Sequence, residues 1–413
     1  MSRRLFGTSI AAACLAIAMS IGAGSPSRAA DCTVTSVGFV PLNDLGTGLY
    51  LGTYQGGLYP GGSNTPPAAH FAEGRARALA IEPLDNLGNA DPSGTMVLLS
   101  IGMSNTTQEF CSAGGGLPCS SWTFMGKAAT DFRVNHSTLT IVNGALGGQA
   151  AATWDDPSDS NYNRVRDTVL APQGLTEAQV QAVWIKVAEP GPTISLPSPA
   201  SDAFVLERDI GEILRAVGTR YPNCRIAFLS TRIYAGYAGY PTPLSPLNPE
   251  PYSYENGFSA KWVIEAQIAQ AGGGGIDPIA GDLDYNTVVP WVAWGPYLWA
   301  DGTTPRSDGL TYVCGDLDAD GTHPSMTGEE KVGQMLLDFM LSSRFATPWF
   351  RRCESGDMNH DGLFDGRDIQ LFVTTFLNPP AAPLSLKCPA DCSDDGVINP
   401  PDTAAFVSVI LNG

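Results

Sequence analysis

The chain has 413 residues, a formal charge of −18, 43% apolar and only 15% charged residues, with 46 glycines and 32 prolines. That apolar content supports a buried core and excludes wholesale disorder, and the length suits one large domain plus a small one. Phosphate backbones and anionic membrane surfaces would repel so acidic a chain, which excludes nucleic-acid binding and favours divalent cations as partners.

At the N-terminus, Arg3 and Arg4 precede a short apolar run, Ile10–Ile21, and Ser27-Arg28-Ala29 places small residues where a signal peptidase cuts. Residues 1–29 therefore read as a cleaved export signal, and Ser2-Arg3-Arg4-Leu5-Phe6 resembles a twin-arginine signal. The expected location is secreted, cell-surface or periplasmic. The apolar run is shorter than the roughly 20 residues that span a bilayer, and no later segment qualifies, so no membrane span is expected. Losing three arginines and no acid makes the balance −21. Of nine cysteines, Cys14 leaves with the signal, and eight in an exported chain read as disulfides. Cys111 and Cys119, flanking SAGGGLP, are the easiest local pair, while Cys353, Cys388 and Cys392 cluster near the C-terminus.

Residues 30–350 alternate strand-like and helical patterns. Met96–Ile101, Leu139–Val142, Ala182–Val187, Arg225–Leu229 and Val288–Trp294 are near-continuous apolar runs, the pattern of parallel strands covered on both faces. Ala203–Val217, Ser259–Ala271 and Glu329–Leu341 carry apolar residues at helical spacing. An α/β fold with a five-stranded parallel sheet follows.

On that frame, Ser104 follows the first strand within Ile101-Gly102-Met103-Ser104-Asn105, ahead of a helix start at Thr106–Phe110. The edge of a parallel sheet binds ligands, and a helix N-terminus favours developing negative charge. Asn143-Gly144-Ala145-Leu146-Gly147-Gly148-Gln149 follows the second strand, and its glycines let backbone N–H groups approach an oxyanion. Asp320 and His323, three apart on a loop before the last helix, can hydrogen-bond so that the imidazole accepts a serine proton. His70 and His136 read as structural, and Glu109 and Asp318 as solvated or locally bonded.

These motifs resemble those of the SGNH (GDSL-like) hydrolase superfamily over most of residues 90–345. The resemblance implies a flavodoxin-like three-layer α/β/α sandwich and ester hydrolysis, with Ser104 as nucleophile, His323 as base and Asp320 as its orienter. It also implies oxyanion donors at the Ser104 amide and at Gly148 or Gly147. Met103 replaces the acid of a G-D-S motif. The Gly-x-Asn-Asp expected after the third strand is absent, because VWIKVAEPGP offers Lys186 and Glu189 but no Asn; Asn105 or Asn143 would have to supply that donor. Losing one such donor typically costs about 100–1,000-fold in rate.

From Glu354 onward nine acids face two bases, Arg367 and Lys387, and a motif is duplicated. Asp357, Asn359, Asp361, Asp365 and Asp368 occupy positions 1, 3, 5, 9 and 12 of a calcium loop, with Gly362 at position 6 and the Leu363 carbonyl at 7. Asp391, Ser393, Asp395, Asn399 and Asp402 repeat the offsets, with Gly396 at 6 and Val397 at 7. Each loop precedes an apolar helix, Ile369–Phe376 and Thr403–Leu411, and neither has a helix before it. The pair resembles a type I dockerin, which implies a small all-α domain of paired EF-hand-like loops over 351–413, two calcium ions, and a cohesin-like or cell-surface protein partner. The sequence thus predicts an exported serine esterase acting on a carbohydrate or other ester. Its rival is a non-catalytic glycan-binding or surface-assembly protein, with Trp184, Trp291, Trp294 and Trp299 as a stacking surface.

Overall fold

A computed structural model describes residues 30–112, 117–238, 247–352, 354–393, 395 and 397–412. The export signal with Cys14, most of the SAGGGLP loop, Cys353 and Gly396 lie outside the described residues.

Five strands form one parallel sheet: β1 Met96–Gly102, β2 Leu139–Asn143, β3 Val180–Lys186, β4 Ile226–Leu229 and β5 Trp291–Trp294, in the order β2-β1-β3-β4-β5. Every residue of β1, β3, β4 and β5 is buried, so helices must cover both faces. The layers include α1 Ala68–Leu79, α2 Ser104–Phe110, α3 Asp202–Arg220, α4 Tyr252–Ala271 and α5 Met326–Ser342. α3 packs on α4, and α2 on α5. This is the doubly wound order that reverses at the β1/β3 crevice.

The expected strands are present, with edges displaced by one to three residues. α4 starts seven residues before its apolar period, and α1 lies in a stretch without an expected helix. The tryptophans offered as a stacking surface are core instead: Trp184, Trp291 and Trp299 are fully buried and Trp294 nearly so. Each indole N–H donates inside the fold, to Ser230 Oγ, His70 Nδ1, Leu58 O and Glu250 Oε1 for Trp184, Trp291, Trp294 and Trp299 respectively. Burial holds His70 down at about 4, and its Nε2 donates to the Val292 carbonyl. His136 caps the Asp131 carbonyl, a local role.

Disulfides join Cys111 to Cys119 and Cys32 to Cys314, and Cys388 is also bonded. Contrary to the all-paired expectation, Cys224 and Cys392 are free thiols. Cys224 packs on the main core and Cys392 on a second one, so no bridge between them forms.

That second core comprises Met358, Phe372, Leu386, Ala390 and Phe406. It joins α6 Ile369–Leu377, α7 Leu384–Ala390 and α8 Pro400–Asn412, with Phe372 stacked on Phe406 at 3.9 Å. α7 leads into the second acidic loop, where no preceding helix was expected; Leu386 and Ala390, the residues it gives to the buried core, are too few for a sequence period.

Candidate active site

Ser104 opens α2 directly past the end of β1, at the crevice where strand order reverses. Gly102 makes this turn possible. Its φ is +153°, and a Cβ there would lie 2.2 Å from the Lys186 carbonyl oxygen at the end of β3. Thr106 Oγ1 donates to that same carbonyl at 2.5 Å and accepts the Met103 N–H at 3.3 Å, which ties the helix start to β3.

His323 reaches the serine from the loop before α5. Its Nε2 lies 2.8 Å from Ser104 Oγ, and its Nδ1 lies 2.5 Å from Asp320 Oδ2. With Nδ1–H donated to the carboxylate, Nε2 is left to accept the serine proton. The carboxylate is itself held by the sequence around it. Thr322 and His323 N–H groups both donate to Asp320 Oδ1 at 2.9 Å, leaving Oδ2 for the ring. Burial alone would raise the Asp320 carboxyl, but these three donors outweigh it and bring it down to about 2. Gly321, at φ +68°, lets the loop lie on the Tyr237 carbonyl, which a Cβ would meet at 2.2 Å. The ring is 22% exposed, so the pair sits at the surface.

Asn105 does not face the serine hydroxyl. It is buried, and its amide donates to the Thr322 carbonyl at 3.0 Å, which Arg232 Nη2 also approaches at 3.4 Å. The residue expected at the oxyanion is therefore a strut under the histidine loop, because the second position of α2 turns inward. Asn143 is likewise engaged: its Oδ1 accepts from Ser100 Oγ and its amide donates to Thr107 Oγ1, both at 2.7 Å. After β3, Val187-Ala188-Glu189 brings no amide side chain; instead Asn256 donates to the Val187 carbonyl and Asn248 to that of Glu189.

Backbone donors remain. Leu146 N–H bonds the Gly102 carbonyl (3.1 Å) and Gln149 N–H bonds Leu146 (3.2 Å), closing a turn around Gly147 and Gly148. Neither glycine amide has a hydrogen-bond partner among the described residues. A Cβ on Gly147 would sit 3.8 Å from Ser104 Cβ, so Gly147 is the glycine pressed against the serine, while Gly148, at φ +78°, faces open space.

Glu109 is not solvated. It pairs with Lys186 beneath the serine turn, both side chains fully buried. Burial pushes Lys186 down to about 8 and Glu109 up, each partly offset by the other's charge, and Arg232 adds a third buried charge. Neither Thr322 and Arg232 as supports nor this ion pair had a sequence signal, since each contact joins segments more than 70 positions apart.

In the first acidic loop, Asp368 accepts the Asn359 and Asp365 N–H groups (both 3.0 Å) and Asp357 accepts Asp361 (3.0 Å). The second loop repeats this: Asp402 accepts Ser393 (2.8 Å) and Asn399 (2.7 Å), and Asp391 accepts Asp395 (3.1 Å). Gly362 takes φ +79° at the sharp turn. Arginines of the larger unit bind only the first loop among the described residues. Arg344 donates to Asn359 Oδ1 (2.6 Å) and Asp361 Oδ2 (3.2 Å), and Arg75 to the Asn359 carbonyl (2.7 Å). Elsewhere, Asp155, Asp209 and Glu212 bring carboxylate oxygens within 4.8 Å of one another, with Arg208 already paired to Asp209.

No family model matches the chain, and no curated protein matches it. Among solved structures it is similar to an extracellular lipase from Streptomyces rimosus (12% identity, TM-score 0.29, covering 59% of this chain and 99% of that one). It is also similar to a carbohydrate acetylesterase from Sinorhizobium meliloti (16%, 0.30, 59% and 97%). A third is a carbohydrate esterase family 2 enzyme with a carbohydrate-binding domain from Corynascus thermopiles (13%, 0.32, 60% and 66%). Likenesses this distant carry no argument, so the functional reading rests on the geometry above. Among the described residues, no helix is long and apolar enough to cross a membrane.

Proposed function

We propose that this chain is an exported serine ester hydrolase of the SGNH type, built on residues 30–350. The observation that carries the reading is the 2.8 Å approach of Ser104 Oγ to His323 Nε2, with Asp320 on the far nitrogen. Ser104 attacks the ester carbonyl carbon while its proton passes to Nε2, and the new oxyanion meets the Ser104 N–H and a Gly147 or Gly148 N–H. The imidazolium then protonates the departing alkoxide. Water, activated by the same nitrogen, cleaves the acyl-serine. Asp320 stays ionised throughout and fixes the ring tautomer. A site with two backbone donors and no third-strand amide side chain suits activated esters, whose good leaving groups make the rate depend least on oxyanion stabilisation. The carbohydrate part of the reading rests on the dockerin-like tail.

The tail, 351–413, is read as a calcium-binding docking module for a cohesin-like or cell-surface protein. The donor set fits calcium: both loops offer carboxylate and carbonyl oxygens at matching offsets on backbones already curled around their first and last acids. Asp357, Asn359, Asp361, Leu363, Asp365 and Asp368 would hold one ion, and Asp391, Ser393, Asp395, Val397, Asn399 and Asp402 the other. Calcium would supply positive charge that lets these acids share a loop, and no catalytic step.

The test is p-nitrophenyl acetate turnover. Ser104→Ala is expected to lower kcat by about a thousandfold or more. Equal rates in wild type and variant would remove Ser104 from the chemistry.

A further inference from the structure

A groove of about 430 Å³ opens on the outer side of α3 and α4, within the size range of small-ligand sites. Tyr54, Phe204 and Trp262 line it with aromatic surface, Phe204 stacking on Trp262 at 5.0 Å, and Glu207, Glu265 and Asp277 add three carboxylates. Two of these acids are accounted for. Glu265 pairs with Lys261 at 2.8 Å, and Asp277 accepts the Ile279 and Ala280 N–H groups at 2.8 and 2.9 Å.

Glu207 is different. The residue is only 4% exposed, yet among the described residues its carboxyl has no hydrogen-bond partner, and what exposure it has opens to the groove. An unpaired buried carboxylate is costly unless a counter-charge reaches it. Burial, then the nearby Asp277 and Glu265 charges, push this carboxyl up to about 8, so near neutral pH it is largely protonated, and its charge is present above that pH or when a cation beside it draws the proton off. No base lines the groove to neutralise it, and Lys261, on the same helix as Trp262, is paired with Glu265. A small metal ion does not suit the gap either: among the described residues only Asp155, Asp209 and Glu212 bring three such oxygens within 4.8 Å.

We propose that this groove binds a small organic cation, its ammonium head against Glu207 and its apolar body along Trp262, Phe204 and Tyr54. Charge complementarity sets the class, since an ammonium is attracted both by carboxylates and by aromatic faces, and it is large enough to bridge acids too far apart for one metal ion. The site lies on helices rather than at the sheet edge, and the proposal makes no use of Ser104.

The experiment is calorimetric titration of the full chain at pH 9, where Glu207 is mostly ionised, with choline and with 3,3-dimethylbutanol, its uncharged isostere. Choline is expected to bind on the order of tenfold more tightly than the alcohol. Glu207→Gln should abolish that preference while leaving the alcohol's affinity and p-nitrophenyl acetate turnover unchanged. Equal binding of the two probes to wild type would make the groove a plain apolar site and overturn the proposal. So would no choline binding up to roughly 0.1 M, or an undiminished preference in the variant.

Discussion

Asp320 is the site residue whose ionisation is set by hydrogen bonds made within its own loop. It accepts the His323 ring N–H and two backbone N–H groups within a four-residue loop, and its carboxyl sits at about 2 although burial opposes this. In an unfolded chain an aspartate titrates near 3.9. A folded pKa below the unfolded one adds stability that is fully present above about pH 4 and is lost as pH falls towards about 2. Asp320→Asn should therefore lower the thermal midpoint at pH 6, and the gap to wild type should close between about pH 4 and pH 2. A gap independent of pH would mean that shape, not charge, holds the loop. The same substitution should cut kcat by roughly a thousandfold or more with KM little changed, because an amide cannot fix the required tautomer in the same way. Asp320 and His323 were legible in the sequence because spacing and loop context state their relation. Asn105 was misread as an oxyanion donor because spacing along the chain does not say which way the second residue of a helix turns.

Two glycines on either side of Ser104 make opposite demands on the elements that carry it. Gly102 joins β1 to α2 against the end of β3, where a methyl group would overlap the Lys186 carbonyl at 2.2 Å; Gly148 has a positive φ but open space around it. Gly102→Ala should cost on the order of 3–5 kcal/mol and abolish turnover, since the serine turn cannot form without moving β3. Gly148→Ala should cost only about 1–2 kcal/mol, the price of the conformation alone. Denaturant unfolding of both variants checks this, and equal losses would contradict the close approach. The strands were readable because parallel strands buried on both faces are simple apolar runs. α1 was not, since its buried positions are His70, Gly74 and Ala78: small or polar residues that let the helix press Gly74 onto the Trp291 ring. α4 was found only from Ser259 onward because Ser253, Glu255 and Asn256 are buried through hydrogen bonds rather than apolar contact.

Across the whole molecule, the acidic tail is not held by its own small core alone. Arg75 and Arg344 reach from α1 and the end of α5 onto Asn359 and Asp361, and Ser385 Oγ donates to the Leu79 carbonyl at the end of α1 (2.7 Å). The first loop is thus bound by guanidinium groups of the larger unit on two of its expected ligands, Asn359 and Asp361, whereas the second has no such cation among the described residues. If calcium fills the loops, it must displace or share the Arg344 contacts in the first but meets no arginine of the larger unit among the described residues of the second. The two ions should then bind with unequal affinity, the second loop filling first. Ligand binding to the folded state alone adds about 2.7 kcal/mol at a hundredfold excess over Kd, so the thermal midpoint should rise between EGTA and millimolar calcium. Asp391→Asn should remove the high-affinity part of that rise and Asp357→Asn the low-affinity part, with p-nitrophenyl acetate turnover retained in both. Arg344→Gln should bring the two affinities closer together. No calcium-dependent shift in the midpoint would overturn the calcium reading, and two equal affinities in the wild type would show that the arginines lie outside the ion's coordination sphere.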